Sequence, residues 1–147
     1  MYIFLDVDGV LNTKDDWNRK MYSLNENCIR IFCDLVENLD NPKIVLSSTW
    51  RNGIARDGTT AVHINDLIKA ISKTGITELD RTAVALDGSR SKEIDYFLRR
   101  HTKDEYIILD DDLELFDDKE RTPNLFLIDA SVGITKNDVK RILKSVR

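Results

Sequence analysis

Four places in this sequence gather the residue types that do chemistry. Asp6-Val7-Asp8-Gly9-Val10-Leu11-Asn12 sets two carboxylates on alternate residues just before a glycine. Ser47-Ser48-Thr49-Trp50-Arg51 brings together hydroxyls, an indole and a guanidinium. Asp110-Asp111-Asp112 opens an acid-rich run over 110–120, and oxygen donors at that density suit a hard divalent cation. Lys92 supplies a cation near the start of a helical stretch. Plainer readings stand beside these. An isolated acid run is ordinarily a solvated loop, and that reading holds for Asp117 and Asp118. A calcium loop counted from Asp6 would need Glu at its twelfth position, where Trp17 stands. His63 and His101 lie away from any nucleophile motif and read as surface or helix-end residues. Cys28 and Cys33 share one helical stretch and read as core thiols. No P-loop, dinucleotide-binding glycine turn or His-Glu-x-x-His motif occurs.

The elements that must position these residues follow from hydrophobic periodicity. Short apolar runs at Tyr2–Leu5, Lys43–Leu46, 106–109 and 125–128 predict buried strands, and 83–86 a weaker third one. Between them lie helical patterns. Residues 25–39 align Ile29, Phe32, Cys33, Val36 and Leu39 behind a capping Asn25, and Pro42 breaks the helix. Residues 65–73 follow with Ile64, Leu67, Ile68 and Ile71, closed by Gly75. Residues 91–101 turn Ile94, Phe97 and Leu98 inward, and 137–146 begins after a Thr135–Asp138 capping box. This alternation predicts an α/β fold: a three-layer, doubly wound, Rossmann-like sandwich on a mainly parallel five-stranded sheet. Such sheets bind ligands beyond the carboxyl ends of their strands. Asp6, Ser47 and Asp110 each follow an apolar run, so they are expected at one edge.

Composition sets the outer limits. The 147 residues suit one domain, 1–147, at ~100–200 residues per domain. Hydrophobic residues at 41% and charged residues at 33% exclude extended disorder. No apolar run approaches the ~20 residues of a membrane span. The amino-terminal residues carry no leader pattern, which together with two unpaired cysteines predicts a cytoplasmic protein. The net charge of −4 argues against a long phosphate-tracking surface, though not against a small basic patch that holds one strand end.

Taken together, the motifs resemble the haloacid dehalogenase (HAD) superfamily, most of whose members are phosphatases. Asp6-Val7-Asp8-Gly9-Val10-Leu11-Asn12 is similar to its first motif, and Ile44-Val45-Leu46-Ser47 to its second. Lys92 at a helix start matches the third and Asp110-Asp111 the fourth, in the family's order along most of the chain. The resemblance implies that Asp6 attacks phosphorus to form an aspartyl-phosphate, and that Asp8 is the general acid and base. It implies Mg²⁺ held by Asp6, the backbone carbonyl of Asp8 and Asp110, with Asp111 beside them. Lys92 would neutralise the phosphate, and Ser47 would bond a phosphoryl oxygen, with Ser48 equally reachable if the strand runs one residue further. Gly9 would let the chain turn and present amides to the phosphate. A signalling receiver domain also gathers acids, a hydroxyl and a lysine, but its phosphorylated aspartate ends the third strand. Here the acid pair lies at the first.

The stretches from Asp6 to Ser47 and from Ser47 to Lys92 are too short to hold a large cap, so an open site is expected. The Ser48-Thr49-Trp50-Arg51 string and Gly88-Ser89-Arg90-Ser91-Lys92-Glu93-Ile94 resemble small capless members associated with nucleic-acid end repair. Trp50 would either stack a base at the rim or pack under the loop. Arg51 and Arg90 would grip a neighbouring phosphate. The expected activity is a Mg²⁺-dependent phosphatase acting on nucleic-acid ends or nucleotides. The alternatives are a phosphoprotein phosphatase and a catalytically silent binding module, although a silent module has no reason to keep Asp6, Asp8, Lys92 and Asp110 together.

Overall fold

Tyr2–Leu5 is apolar at every position and needs cover on both faces. In the computed structural model it is β1, the central strand of the sheet, with all four residues buried. The structure describes residues 1–101, 105–116 and 124–146; Asp117, Asp118 and the rest of that acid run to Glu120 lie outside them. Strands β2 (Lys43–Leu46) and β4 (Tyr106–Asp110) flank β1 in parallel register, and β3 (Asp80–Arg81) and β5 (Leu125–Leu127) form the edges. The order is β3-β2-β1-β4-β5, all parallel.

Alternation of side chains divides the core. Ile3, Leu5, Ile44, Leu46, Ile107 and Leu109 enter the larger cluster, where they share a core with residues of three helices. These are Phe32 and Leu35 of α2 (Glu26–Glu37), Leu67 of α3 (Val62–Ala70) and Ile142 of α5 (Lys136–Val146). On the other face Tyr2, Phe4, Val45 and Ile108 meet Ile94 and Phe97 of α4 (Arg90–Arg100). Phe97 packs edge-on against Tyr2 and Phe4, with ring centroids 5.4 and 5.5 Å apart. The sheet thus lies between helical layers, as the alternation predicts. The chain runs from β1 outward to β3, then crosses to β4 and β5, so strand order reverses between β1 and β4. Ligand sites of open α/β sheets form at that crevice.

The third strand departs from expectation. It lies at Asp80–Arg81, not at 83–86, where Val84 and Leu86 are exposed. Thr82 still donates to the Leu46 carbonyl (3.0 Å), and the ladder stops there. An edge strand has one side in water and needs no apolar run, and charges on it discourage further pairing. Helix α1 (Lys14–Arg19) had no apolar signal because it buries nothing; a Thr13–Asp16 capping box starts it. The box expected at Thr135 and Asp138 is present. No helix among the described residues is long and apolar enough to cross a membrane.

Candidate active site

The registers of β1, β2 and β4 align Leu5 with Leu46 and Leu109, so the next residues, Asp6, Ser47 and Asp110, follow side by side. Asp6 donates its amide to Leu109 and Ser47 donates to Leu5, which holds the strand ends together. By alternation the three side chains continue the row of Phe4, Val45 and Ile108 on the α4 face. All three residues are buried, and one carboxylate oxygen from each of Asp6, Asp110 and Asp111 lies within 4.8 Å of the others. Gly9 makes the approach of Asp111 possible. Its φ is +89°, and a Cβ there would sit 2.5 Å from Asp111 Oδ2.

Burial dominates the electrostatics. It pushes the Asp6 carboxyl well above the usual carboxylate range, reinforced by a hydrogen bond with Asp111 and by the charges of Asp110 and Asp111. Burial likewise raises Asp110 to about 6, against the opposing pull of Arg90. Arg90 Nε stands 3.6 Å from Asp110 Oδ2, and neither atom has a hydrogen-bond partner, nor does Arg90 Nη1. Three carboxylates thus gather with one guanidinium beside Asp110, and an orphaned buried acceptor is among them. An oxygen-only donor set with excess negative charge fits a hard divalent cation.

Asp8 is held separately. Its Oδ1 accepts from Trp50 Nε1 (3.0 Å) and Asn12 Nδ2 (2.9 Å). Asn12 is fully buried, donates also to the Ser23 carbonyl, and accepts from the Gly9 amide (2.9 Å). Asn12 therefore orders the turn that follows Asp8, a role its type alone did not announce. Gly9 makes the expected turn, and its own amide is directed to Asn12.

Several other expectations are revised. Trp50 is 0% exposed and cannot stack a base at the rim. Arg51 is buried and forks onto Glu93 (3.1 and 2.9 Å) while reaching Thr82 Oγ1, so it is not available to a second phosphate. Lys92 is exposed and pairs with Asp87, and the cation beside the acids is Arg90. The two serines are distinguished as well. Ser48 Oγ accepts from the Trp50 amide and caps the 3-10 turn Thr49–Gly53, whereas Ser47 Oγ is buried without a hydrogen-bond partner.

The carboxylate-lined crevice at the strand reversal belongs to the HAD class of α/β proteins. A family model for the HAD domain in Swiss Army Knife RNA repair proteins matches residues 2–139, and the chain belongs to that family. No curated protein and no solved structure matches the chain significantly.

Proposed function

We propose that the chain is a Mg²⁺-dependent phosphatase that hydrolyses phosphate monoesters at nucleic-acid ends through a covalent intermediate on Asp6. The observation that carries this reading is the convergence of Asp6, Asp110 and Asp111 at the β1–β4 crevice, with Asp8 held apart beside them. The Asp6 carboxylate attacks phosphorus as the bond to the leaving oxygen breaks, and Asp8 gives that oxygen its proton. Asp8 then takes a proton from the water that attacks the aspartyl-phosphate, which releases inorganic phosphate and restores Asp6. The Ser47 hydroxyl donates to a phosphoryl oxygen, and Arg90 offsets the negative charge gathered there. Mg²⁺, when held by Asp6, Asp110 and Asp111, supplies the charge neutralisation that lets one anion approach another. The two bonds onto Asp8 Oδ1 fix its carboxyl while leaving Oδ2 to carry the proton. The RNA-repair family supports a nucleic-acid substrate. In this reading the protein works in a reducing cytoplasm, with Cys28 and Cys33 as buried thiols.

Phosphate release from phosphorylated oligonucleotides, mononucleotides and phosphopeptides, with and without Mg²⁺, tests the proposal. Oligonucleotide turnover should need Mg²⁺ and vanish in Asp6→Asn. Normal turnover in that variant would exclude covalent catalysis by Asp6, and preference for phosphopeptides would move the substrate class.

A further inference from the structure

Trp50, whose indole bonds Asp8, is covered by two other rings. Tyr22 and His63 stack face to face, with centroids 3.8 Å apart and planes inclined by 6°. Both meet Trp50 edge-on at 5.3 Å, and the Trp50 indole in turn donates to Asp8. His63 also lies against the Trp50 carbonyl (3.4 Å), so it is fixed from behind. Tyr22 nevertheless remains 43% exposed, and its backbone adopts φ +60°, a left-handed conformation that bulky residues rarely take. With His63 against one ring face, the exposed surface is left to the other face and the edges. An aromatic ring held in a strained backbone conformation against the indole that bonds Asp8 calls for an explanation. The other exposed tyrosine, Tyr96, is engaged by Arg100 and lies about 9 Å along α4 from Arg90.

We propose that Tyr22, backed by His63, is the platform on which the base of the phosphate-bearing terminal nucleotide stacks. The inference rests on the phosphatase reading for one step only, namely that Asp8 protonates the leaving oxygen. That oxygen belongs to the terminal sugar and meets Asp8, which brings the attached base within reach of the rings next to Asp8, first Trp50 and then Tyr22. A base laid on Tyr22 continues the existing stack as a third plane. Such stacking accepts any base, because every base presents a π-face. The recognition lost when Trp50 proved to be buried is thereby supplied by the ring that buries it.

Fluorescence of 2-aminopurine, which stacking quenches, provides the test. The probe is a phosphorylated oligonucleotide with 2-aminopurine either at the phosphate-bearing terminus or several nucleotides inward, titrated with Asp6→Asn protein so that the phosphate stays on. The terminal probe should be quenched and the internal probe should not. Adding Tyr22→Ala or Tyr22→Leu should abolish the quench and weaken binding about tenfold, whereas Tyr22→Phe should retain both. Equal quenching of the two probes, an undiminished quench in Tyr22→Leu, or no quench at all would overturn the platform. Phosphate release by the unmodified protein from the same oligonucleotide is read separately. Release without quench removes the platform alone, and quench without release removes the phosphatase reading and leaves the platform standing.

Discussion

Asp6, Asp110 and Asp111 press negative charge into one buried corner, and the guanidinium beside them is that of Arg90. Replacing Arg90 with Gln keeps hydrogen-bonding capacity but removes the charge, so kcat/KM should fall by about 10²–10³, the scale for losing one preorganised group in a site. Lys92→Gln removes an ammonium that pairs with Asp87 in solvent, and should change kcat/KM only slightly. Steady-state kinetics on one phosphorylated oligonucleotide compares the two, and the reverse order would return Lys92 to the neutralising role. The sequence motif names Lys92 for this cation, and the structure sets Arg90, from the same turn, nearest Asp110. Successive helical residues point about 100° apart, so Arg90 and Lys92 diverge, and which one faces the sheet is set by the burial of Glu93, Ile94 and Phe97. Trp50 was ambiguous for a related reason. Residue type cannot distinguish a ring at a rim from one beneath it, and Tyr22, distant in sequence, decides the matter.

A buried ion pair braces the elements that follow the strand ends. Arg51, in the turn after β2, forks onto Glu93 in the first turn of α4, and Glu93 also accepts from the Ala85 amide (2.9 Å). One carboxylate therefore ties β2, α4 and the segment after β3. Arg51→Met would leave Glu93 buried without its cation and should lower stability by about 3–5 kcal/mol, measured by denaturant unfolding. Adding Glu93→Leu should recover part of the loss, while a single-variant loss below about 1 kcal/mol would show the pair to be incidental. Strands that buried both faces, β1, β2 and β4, were legible as apolar runs and carried Asp6, Ser47 and Asp110 to their observed places. Elements with little burial were not. β3 is held by two ladder positions at an edge, and α1 by its cap, so hydrophobic periodicity had nothing to report.

At the scale of the whole molecule, the site couples to stability through its protons. The Asp110 carboxyl is raised to about 6 and that of Asp6 is raised in the same direction, each chiefly by burial. In the unfolded chain both ionise near ~3.9. Between that value and about 6 the folded protein binds more protons than the unfolded one, so these groups lower stability as pH rises. The opposite sign belongs to Asp16, Asp57, Asp87 and Asp129, whose hydrogen-bonded carboxyls lie below the usual range; their stabilisation is lost as pH falls through their folded values. The difference between the parent protein and Asp110→Asn isolates the site from this background. With chelator present, the parent should lose Tm relative to Asp110→Asn as pH rises from about 4 through 6. If Mg²⁺ binds the ionised carboxylates as proposed, its effect should grow with pH and reach about 2.7 kcal/mol when the ion is at one hundred times its Kd. Asp110→Asn should lose most of that gain. Thermal unfolding across this pH range, with chelator and with Mg²⁺, would refute the metal assignment if Mg²⁺ stabilised both proteins equally above pH ~7, where the carboxylates are free to bind it.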